Sequence, residues 1–209
     1  MTLTLFGVAA SRAGRNIWAL EELGLPYDRV LTDFKGGNKQ ADYLAVNPNG
    51  RVPALKHDDL VLFESLAINL YLARTFGEGS LQPDTEADAA RAVQWSFWVV
   101  TEVEKASLTA MFHAFKRPGY ADGAAGVEAQ RQEIDAALKV LDQSLAGRDY
   151  LVGDRFTIAD LNVASVLTWA YMARMDFSSY PDLSRWFSAC FGRDGRKAMA
   201  AMVKAEMAA

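Results

Sequence analysis

Cysteine and histidine are nearly absent from this sequence of 209 residues, which has one cysteine and two histidines. A single cysteine, Cys190, excludes an intramolecular disulfide and a Cys-x-x-Cys redox pair, and it favours a reducing compartment such as the cytoplasm. With only His57 and His113 and no cluster of cysteines, a structural zinc site is not expected. The sequence therefore predicts a cytoplasmic protein without a bound metal.

Long apolar runs and basic clusters are lacking as well. Residues 1–7 have no basic stretch followed by an apolar one, so they do not predict a secretion signal. No segment is long and apolar enough to predict a membrane span. The net charge of -4 argues against a nucleic-acid or anionic-membrane partner. The length and the 51% share of hydrophobic residues predict a folded chain with one large domain or two modest ones.

The most informative stretch is Asn47–Leu55, which reads Asn-Pro-Asn-Gly-Arg-Val-Pro-Ala-Leu. Asn-Pro-Asn-Gly predicts a turn, because proline presets φ while asparagine and glycine tolerate a positive φ. Pro53 restricts the strand that follows to a sheet edge or to a strand start. If the Val52–Pro53 bond is cis, the N–H and C=O of Val52 face outward and pair with an extended peptide.

A second informative stretch follows the predicted strand Leu60–Phe63, where Glu64 and Ser65 precede an apolar helical run. Ser65 is the expected N-cap of that helix. A helix N-terminus attracts a carboxylate, and Glu64 beside it attracts an ammonium group. Because one carbon of an amino-acid head group carries both, the pattern favours a small peptide with a free α-amino acid end.

Together these two stretches resemble the glutathione site of the cytosolic glutathione transferase family, most closely bacterial members that use a serine. The resemblance implies glutathione as co-substrate, a small hydrophobic electrophile as second substrate, detoxification as the role and a homodimer as the assembly. It also implies that Val52 and Pro53 contact the cysteinyl part of glutathione and that Glu64 and Ser65 bind the γ-glutamyl head. Lys39, eight residues before Asn47, corresponds to a basic residue that binds the glycine carboxylate.

The order of predicted elements agrees with that resemblance. A first strand from Leu3 to Gly7, a helix from Arg15 to Leu23 and a strand from Tyr27 to Leu31 form a βαβ unit. With the hairpin and the capped helix, residues 1–77 are expected to form a thioredoxin-like domain in βαβ-ββα order. Residues 78–84 are the expected linker, and residues 85–209 the expected all-helical domain.

The helical half is predicted from apolar spacing and from capping signals. We expect a long helix over 85–115, a helix over 127–145, and further helices that begin near 158, 181 and 196. Thr157 and Asp160 form a capping box at the start of the third of these. The second carries a core stripe of four residues: Ile134, Leu138, Leu141 and Leu145.

Glutathione transfer requires a thiolate, whereas a free thiol has a pKa near ~8.5 and is mostly protonated at neutral pH. Lowering that pKa by two units requires about 2.7 kcal/mol of preferential thiolate stabilisation. A hydroxyl at a helix N-terminus supplies part of it. The resemblance places the catalytic residue in the loop over 8–14, where Ser11 has the only hydroxyl, so Ser11 is the expected hydrogen-bond donor.

Other interpretations of this loop stay open. Ser11 alternatively caps the first helix, and then Arg12 or a backbone amide stabilises the thiolate. Related serine-type proteins often carry their serine one residue earlier, where this chain has Ala10.

The second substrate and the reaction are less constrained. Four residues are candidate liners of the electrophile site by position, although aromatic residues at helical spacing also form cores; they are Trp98, Phe112, His113 and Phe115. The leading hypothesis is a glutathione transferase that conjugates, isomerises, dehalogenates or reduces its second substrate. The competing hypothesis is a non-catalytic binding or regulatory module of the same fold.

Overall fold

Four short strands form one sheet in the first part of the chain. In the computed structural model, which describes residues 2–208, they are β1 (Leu3–Phe6), β2 (Asp28–Val30), β3 (Ala54–His57) and β4 (Leu60–Phe63). The sheet order is β2-β1-β3-β4, with β1 parallel to β2 and antiparallel to β3. The helices of this part are α1 (Ala13–Leu23), the short α2 (Ala41–Val46) and α3 (Ser65–Phe76). This confirms the thioredoxin-like fold that the resemblance implied.

The sequence explains why β1 and α1 lie at the centre of this part. Leu3 and Leu5 alternate along β1 and are buried. Ile17 and Leu20, which are at helical spacing on α1, are fully buried. Gly24 then ends α1 in a left-handed conformation with φ of 60°, which only glycine adopts at little cost.

Helices alone form the rest of the chain within residues 83–208. They are α4 (Glu86–Val99), a π-helical turn (Val100–Glu104), α5 (Lys105–Ala114), α6 (Ala124–Glu133), α7 (Asp135–Ser144), α8 (Ile158–Met172), α9 (Pro181–Phe191) and α10 (Asp194–Ala208). The helix predicted over 127–145 is two helices, which break at Ile134 while all four residues of the predicted stripe stay buried. No helix within 2–208 is both long and apolar enough to cross a membrane.

The chain divides into two compact units, and the division differs from the predicted one. The first unit extends to Gln82 and includes the segment from Gly192 onward, whereas the second is Pro83–Phe191. The prediction assigned all of 85–209 to the helical domain. Instead, α10 packs along α1, and Arg193 forms an ion pair with Glu22 of α1 at 2.7 Å. Chain order alone does not reveal such a return to the first unit.

The start of α8 is held by several hydrogen bonds within the second unit. Thr157 and Asp160 form the predicted capping box. The Asp160 carboxylate also accepts from the Leu151 N–H at 2.8 Å and from the Trp186 Nε1–H at 2.9 Å. Burial raises the pKa of Asp160, whereas these donors oppose the rise because they favour the ionised form. Asp160 therefore joins the start of α8 to α9 and to the preceding loop.

Candidate functional site

The N-terminus of α3 carries both residues predicted to bind an amino-acid head group. Glu64 is the N-cap, with a φ of 72° that is uncommon for any residue except glycine, and its side chain is exposed. Ser65 is the first residue of the helix, so the prediction that Ser65 is the N-cap was wrong by one position. Its hydroxyl is instead 3.3 Å from Nη1 of Arg15, which donates to it. The first backbone N–H groups of α3 have no partner within the helix and suit an anion.

A buried polar network joins the N-terminal halves of α1 and α3. The Asn16 side-chain amide donates to the Ser65 carbonyl and to Asn69 Oδ1, both at 2.8 Å. Asn69 in turn donates to the Arg15 carbonyl at 3.3 Å. Arg15, Asn16 and Asn69 were not predicted from the sequence. The available signal was polar residues at core positions, such as Asn69 inside the apolar run of α3.

The loop before β3 folds as predicted and brings Lys39 beside it. The Gly50 N–H donates to the Asn47 carbonyl at 2.9 Å, and Gly50 has a φ of 57°. Lys39 Nζ donates to the Gly50 carbonyl at 2.9 Å, and a Cβ on residue 50 would lie 2.7 Å from that nitrogen. Burial raises the pKa of Tyr43, and its phenol donates to the Arg51 carbonyl at 2.6 Å. The loop is thus held from both sides and Lys39 lies at its surface.

Val52 and Pro53 stand immediately before β3, and the peptide bond between them is cis. Pairing of β3 with β1 begins at Ala54, opposite Phe6, so Val52 lies beyond the last paired residue. The loop after β1 passes close to Val52, because a Cβ on Gly7 would lie 3.3 Å from the Val52 Cβ and 3.6 Å from Ser11 Oγ. Ser11 and Val52 therefore both lie beside Gly7.

Ser11 is half-buried at the start of α1, and its hydroxyl both donates and accepts a hydrogen bond. Its hydroxyl donates to the Val8 carbonyl at 2.7 Å and accepts from the Ala13 N–H at 3.1 Å. Arg12, not Ser11, is the N-cap of α1, so the capping interpretation is not confirmed, although the Ser11 hydroxyl accepts from the first N–H of the helix. A hydroxyl has one proton, so Ser11 must release the Val8 carbonyl before it donates to a sulfur atom. Arg12 and Ala10 are both exposed on the same loop.

The four candidate liners of the second-substrate site do not form one cluster. Trp98 is near the end of α4 and contacts Trp95 edge-on. The chain is helical from there to Phe112, and 14 residues at about 1.5 Å each separate the two by roughly 20 Å. Phe112 and His113 both contact Tyr120, and Phe115 is exposed next to them. Three of the candidates are therefore neighbours and Trp98 is not.

His113 is packed rather than presented to solvent. Its side chain is 12% exposed, and Nδ1 lies 3.4 Å from an Asp122 carboxylate oxygen. A Cβ on Gly126 would lie 2.3 Å from the imidazole ring, so α6 covers it closely. Cys190 is buried in α9.

Comparison with known proteins identifies both halves of the chain. Residues 1–74 match the family description "Glutathione S-transferase, N-terminal domain" and residues 101–194 match "Glutathione S-transferase, C-terminal domain". Glutathione S-transferase GstB from Escherichia coli (strain K12) is 35% identical over 80% of this chain and 82% of its own. Glutathione S-transferase 3 from Zea mays is 36% identical over 91% of this chain and 90% of its own.

Solved structures and one further relative extend the comparison. The structure of glutathione S-transferase-I bound with lactoylglutathione superimposes with a TM-score of 0.84 at 29% identity, covering 97% of this chain and all of that one. Elongation factor 1-gamma from Sus scrofa is 32% identical over 82% of this chain, but only 39% of its own length is covered.

Proposed function

The chain belongs to the glutathione S-transferase family, and from this premise we propose that it activates the thiol of glutathione through Ser11 for attack on a small hydrophobic electrophile. The observation that carries the proposal is the pairing of two helix N-termini in one unit. The α1 terminus holds the half-buried Ser11 hydroxyl, which like Val52 lies beside Gly7, and the α3 terminus holds Glu64 and Ser65. The Arg15 and Asn16 contacts to Ser65 keep the two termini together.

Each part of glutathione has a partner in this arrangement. The γ-glutamyl carboxylate accepts from Ser65 and the first N–H groups of α3, and its ammonium group pairs with Glu64. The cysteinyl part pairs with the backbone of Val52 before Pro53, as an added strand does. The glycine carboxylate pairs with Lys39.

The Ser11 hydroxyl turns from the Val8 carbonyl to the sulfur and stabilises the thiolate by donating a hydrogen bond. It stays protonated and forms no covalent intermediate. The positive end of α1 adds a favourable electrostatic contribution. The thiol proton is released to water when the thiolate forms. The sulfur electron pair then forms the bond to the electrophilic carbon; in a substitution the leaving group departs with the electron pair of its broken bond, and in an addition the resulting carbanion takes a proton from water.

The second substrate is proposed to contact the end of α5, where Phe112, His113 and Phe115 are neighbours. Trp98 remains a separate candidate on α4. Phe115→Ala is expected to raise KM for an aromatic electrophile several-fold with little effect on KM for glutathione, because Phe115 is exposed and available for contact. Equal changes in both KM values would argue against this assignment.

Ultraviolet titration of the bound glutathione thiolate tests the role of Ser11. In Ser11→Ala, the thiol pKa should return toward ~8.5 and kcat at neutral pH should fall about 10- to 100-fold. Ser80→Ala is the matched control, because Ser80 also directs its N–H and its hydroxyl to the carbonyl three residues earlier, Gly77, away from this site. The control should behave as wild type.

Two other results would replace the proposal. A low thiol pKa in Ser11→Ala would mean that Arg12 or a backbone amide, and not Ser11, stabilises the thiolate. The absence of glutathione binding in the wild type would favour the second candidate function, a non-catalytic module. That candidate has its own support, because Ser11 fully uses its proton within the chain and elongation factor 1-gamma is a relative.

A homodimer is part of the proposal, with a second copy of the chain covering exposed apolar side chains. In the first unit these lie on the edge strand β4, where Phe63 is 44% exposed. In the second unit Phe97 on α4 is 69% exposed. Phe97→Glu is expected to shift the protein from dimer to monomer in analytical ultracentrifugation, and an unchanged mass would exclude this surface. The cytoplasmic location stays a prediction from the single cysteine.

A further inference from the structure

One peptide group in the loop after β1 connects Ser11 with the far end of the chain. The carbonyl of the Val8–Ala9 peptide accepts from the Ser11 N–H at 3.0 Å and from the Ser11 hydroxyl at 2.7 Å. The N–H of the same peptide group donates to Glu206 Oε2 at 2.7 Å. Because a peptide group is planar, Glu206 on one side and Ser11 on the other fix its orientation together.

Glu206 is itself held in place by Arg29 of β2. Its Oε1 is 2.6 Å from Nη2 of Arg29, and the two side chains are 16% and 19% exposed. The same Arg29 nitrogen is 3.3 Å from the Gly7 carbonyl, to which it donates. Arg29 and Glu206 therefore contact consecutive parts of the loop, at Gly7 and at Ala9. The hydrogen bonds from the Ala9 N–H to Glu206 and from Arg29 to the Gly7 carbonyl each involve a charged group, and such bonds are stronger than neutral ones.

Packing of α10 on the first unit determines where Glu206 lies. Met202, one turn before Glu206, contacts the Tyr27 hydroxyl and Arg29 through its sulfur, and Met199 lies against Gly14 of α1. Burial, and then the Glu21 carboxylate, raise the pKa of Tyr27, so its phenol stays neutral. Arg29, and not Tyr27, carries the charge that pairs with Glu206.

We propose that Glu206 is a positioning residue for the thiol chemistry: with Arg29 it fixes the Val8–Ala9 peptide and thereby the place of the Ser11 hydroxyl. The inference rests on the proposed role of Ser11. When the hydroxyl turns to the glutathione sulfur, the Ser11 N–H still bonds to Val8, so the oxygen keeps its position. Without Glu206 the peptide group rotates and this position is lost.

The direction of the pKa change distinguishes positioning from simple electrostatics. Removing a negative charge near a thiolate would lower the thiol pKa, whereas misplacing its hydrogen-bond donor raises it. In Glu206→Ala we expect the pKa of bound glutathione to rise by about one unit and kcat near that pKa to fall about three- to tenfold, with KM for glutathione changed less than twofold. Met207→Ala is the matched control, because Met207 is the adjacent residue of α10 and is 77% exposed.

Two further variants keep the test decisive. Glu206→Gln retains an oxygen that accepts from the Ala9 N–H but removes the negative charge, so the thiol pKa should stay at or slightly below the wild-type value instead of rising. Glu206→Asp retains the charge but is one methylene shorter, so it should raise the thiol pKa. It replaces Glu206→Ala in the test if circular dichroism shows that Glu206→Ala is not folded. An unchanged or lowered thiol pKa in the Ala and Asp variants would overturn the proposal. If the wild type binds glutathione without forming thiolate, the proposed role of Ser11 is wrong, independently of any Glu206 variant. The titration of the wild type alone reveals that outcome.

Discussion

The N-termini of α8 and α3 carry the same kinds of residue, a hydroxyl and a carboxylate, but those residues have different roles. At α8, Thr157 and Asp160 are buried, and their acceptors are taken by the helix, by Leu151 and by Trp186. At α3, Glu64 is exposed and the first N–H groups have no partner within the helix. A terminus with all its groups bonded within the chain stabilises the fold. A terminus that keeps donors for an anion stabilises the fold less and can bind a ligand.

The largest expected effect is a loss of stability when the bonded N-terminus of α8 is disrupted. Asp160→Ala leaves the Leu151 N–H and the Trp186 Nε1–H buried without an acceptor, each costing about 1–3 kcal/mol. We expect the free energy of unfolding to fall by about 3 to 5 kcal/mol, measured by urea denaturation. The folded fraction should keep the wild-type KM for glutathione. A raised KM in that fraction would mean that the two termini are not independent.

A smaller effect is expected at the N-terminus of α3, where the change is in the affinity for glutathione rather than in stability. Ser65→Ala should raise the dissociation constant of glutathione about tenfold, since a hydrogen bond to a carboxylate contributes about 1.5 kcal/mol. Isothermal titration calorimetry measures it, with Ser80→Ala as control. The free energy of unfolding should fall by less than about 1 kcal/mol, because the Arg15 contact to the hydroxyl is 3.3 Å long. A larger loss of stability than of affinity would make Ser65 a structural residue.

Thr157→Ala and Ser11→Ala compare the hydroxyl itself at two helix starts. Thr157 is buried and its loss should cost about 1 to 2 kcal/mol of stability without changing the thiolate titration. Ser11→Ala should show the reverse, with a stability loss below about 1 kcal/mol and the change of thiol pKa described above. Thermal unfolding and the ultraviolet titration, applied to both variants, decide between the two. Equal stability losses would make Ser11 an ordinary cap.

The smallest expected effect concerns the exposed Lys39. Lys39→Met should weaken glutathione binding about two- to threefold at low ionic strength, because exposed charge pairs contribute less than about 1 kcal/mol. The difference from wild type should disappear as salt is added, since salt screens exposed charges. A difference that persists in high salt would show that Lys39 acts through the Gly50 loop rather than through charge.

The amount that sequence reasoning recovered differs between fold and site. The sheet, the turn at Gly50, the buried stripe and the capping box follow from local patterns of a few residues, and the structure confirms each. The break at Ile134 was missed because an apolar stripe continues across it without a change of period. For the candidate site, Ser11 and Val52 could be selected as candidates from the sequence. The hydrogen bonds that Ser11 makes could not be predicted from it.

By itself, the sequence determined an α/β first part and a helical remainder, because turns, caps and apolar periods are encoded by neighbouring residues. The thioredoxin-like fold and the glutathione S-transferase family were recognised from the resemblance of its two motifs to that family. Only the tertiary structure decided that α10 returns to the first unit and that Glu206, nearly two hundred residues after Ala9, bonds to its N–H. It likewise decided that Asn16 and Asn69 join α1 to α3. Contacts at such separations depend on how whole helices pack, and no local pattern in one sequence specifies which polar side chain will meet which peptide group.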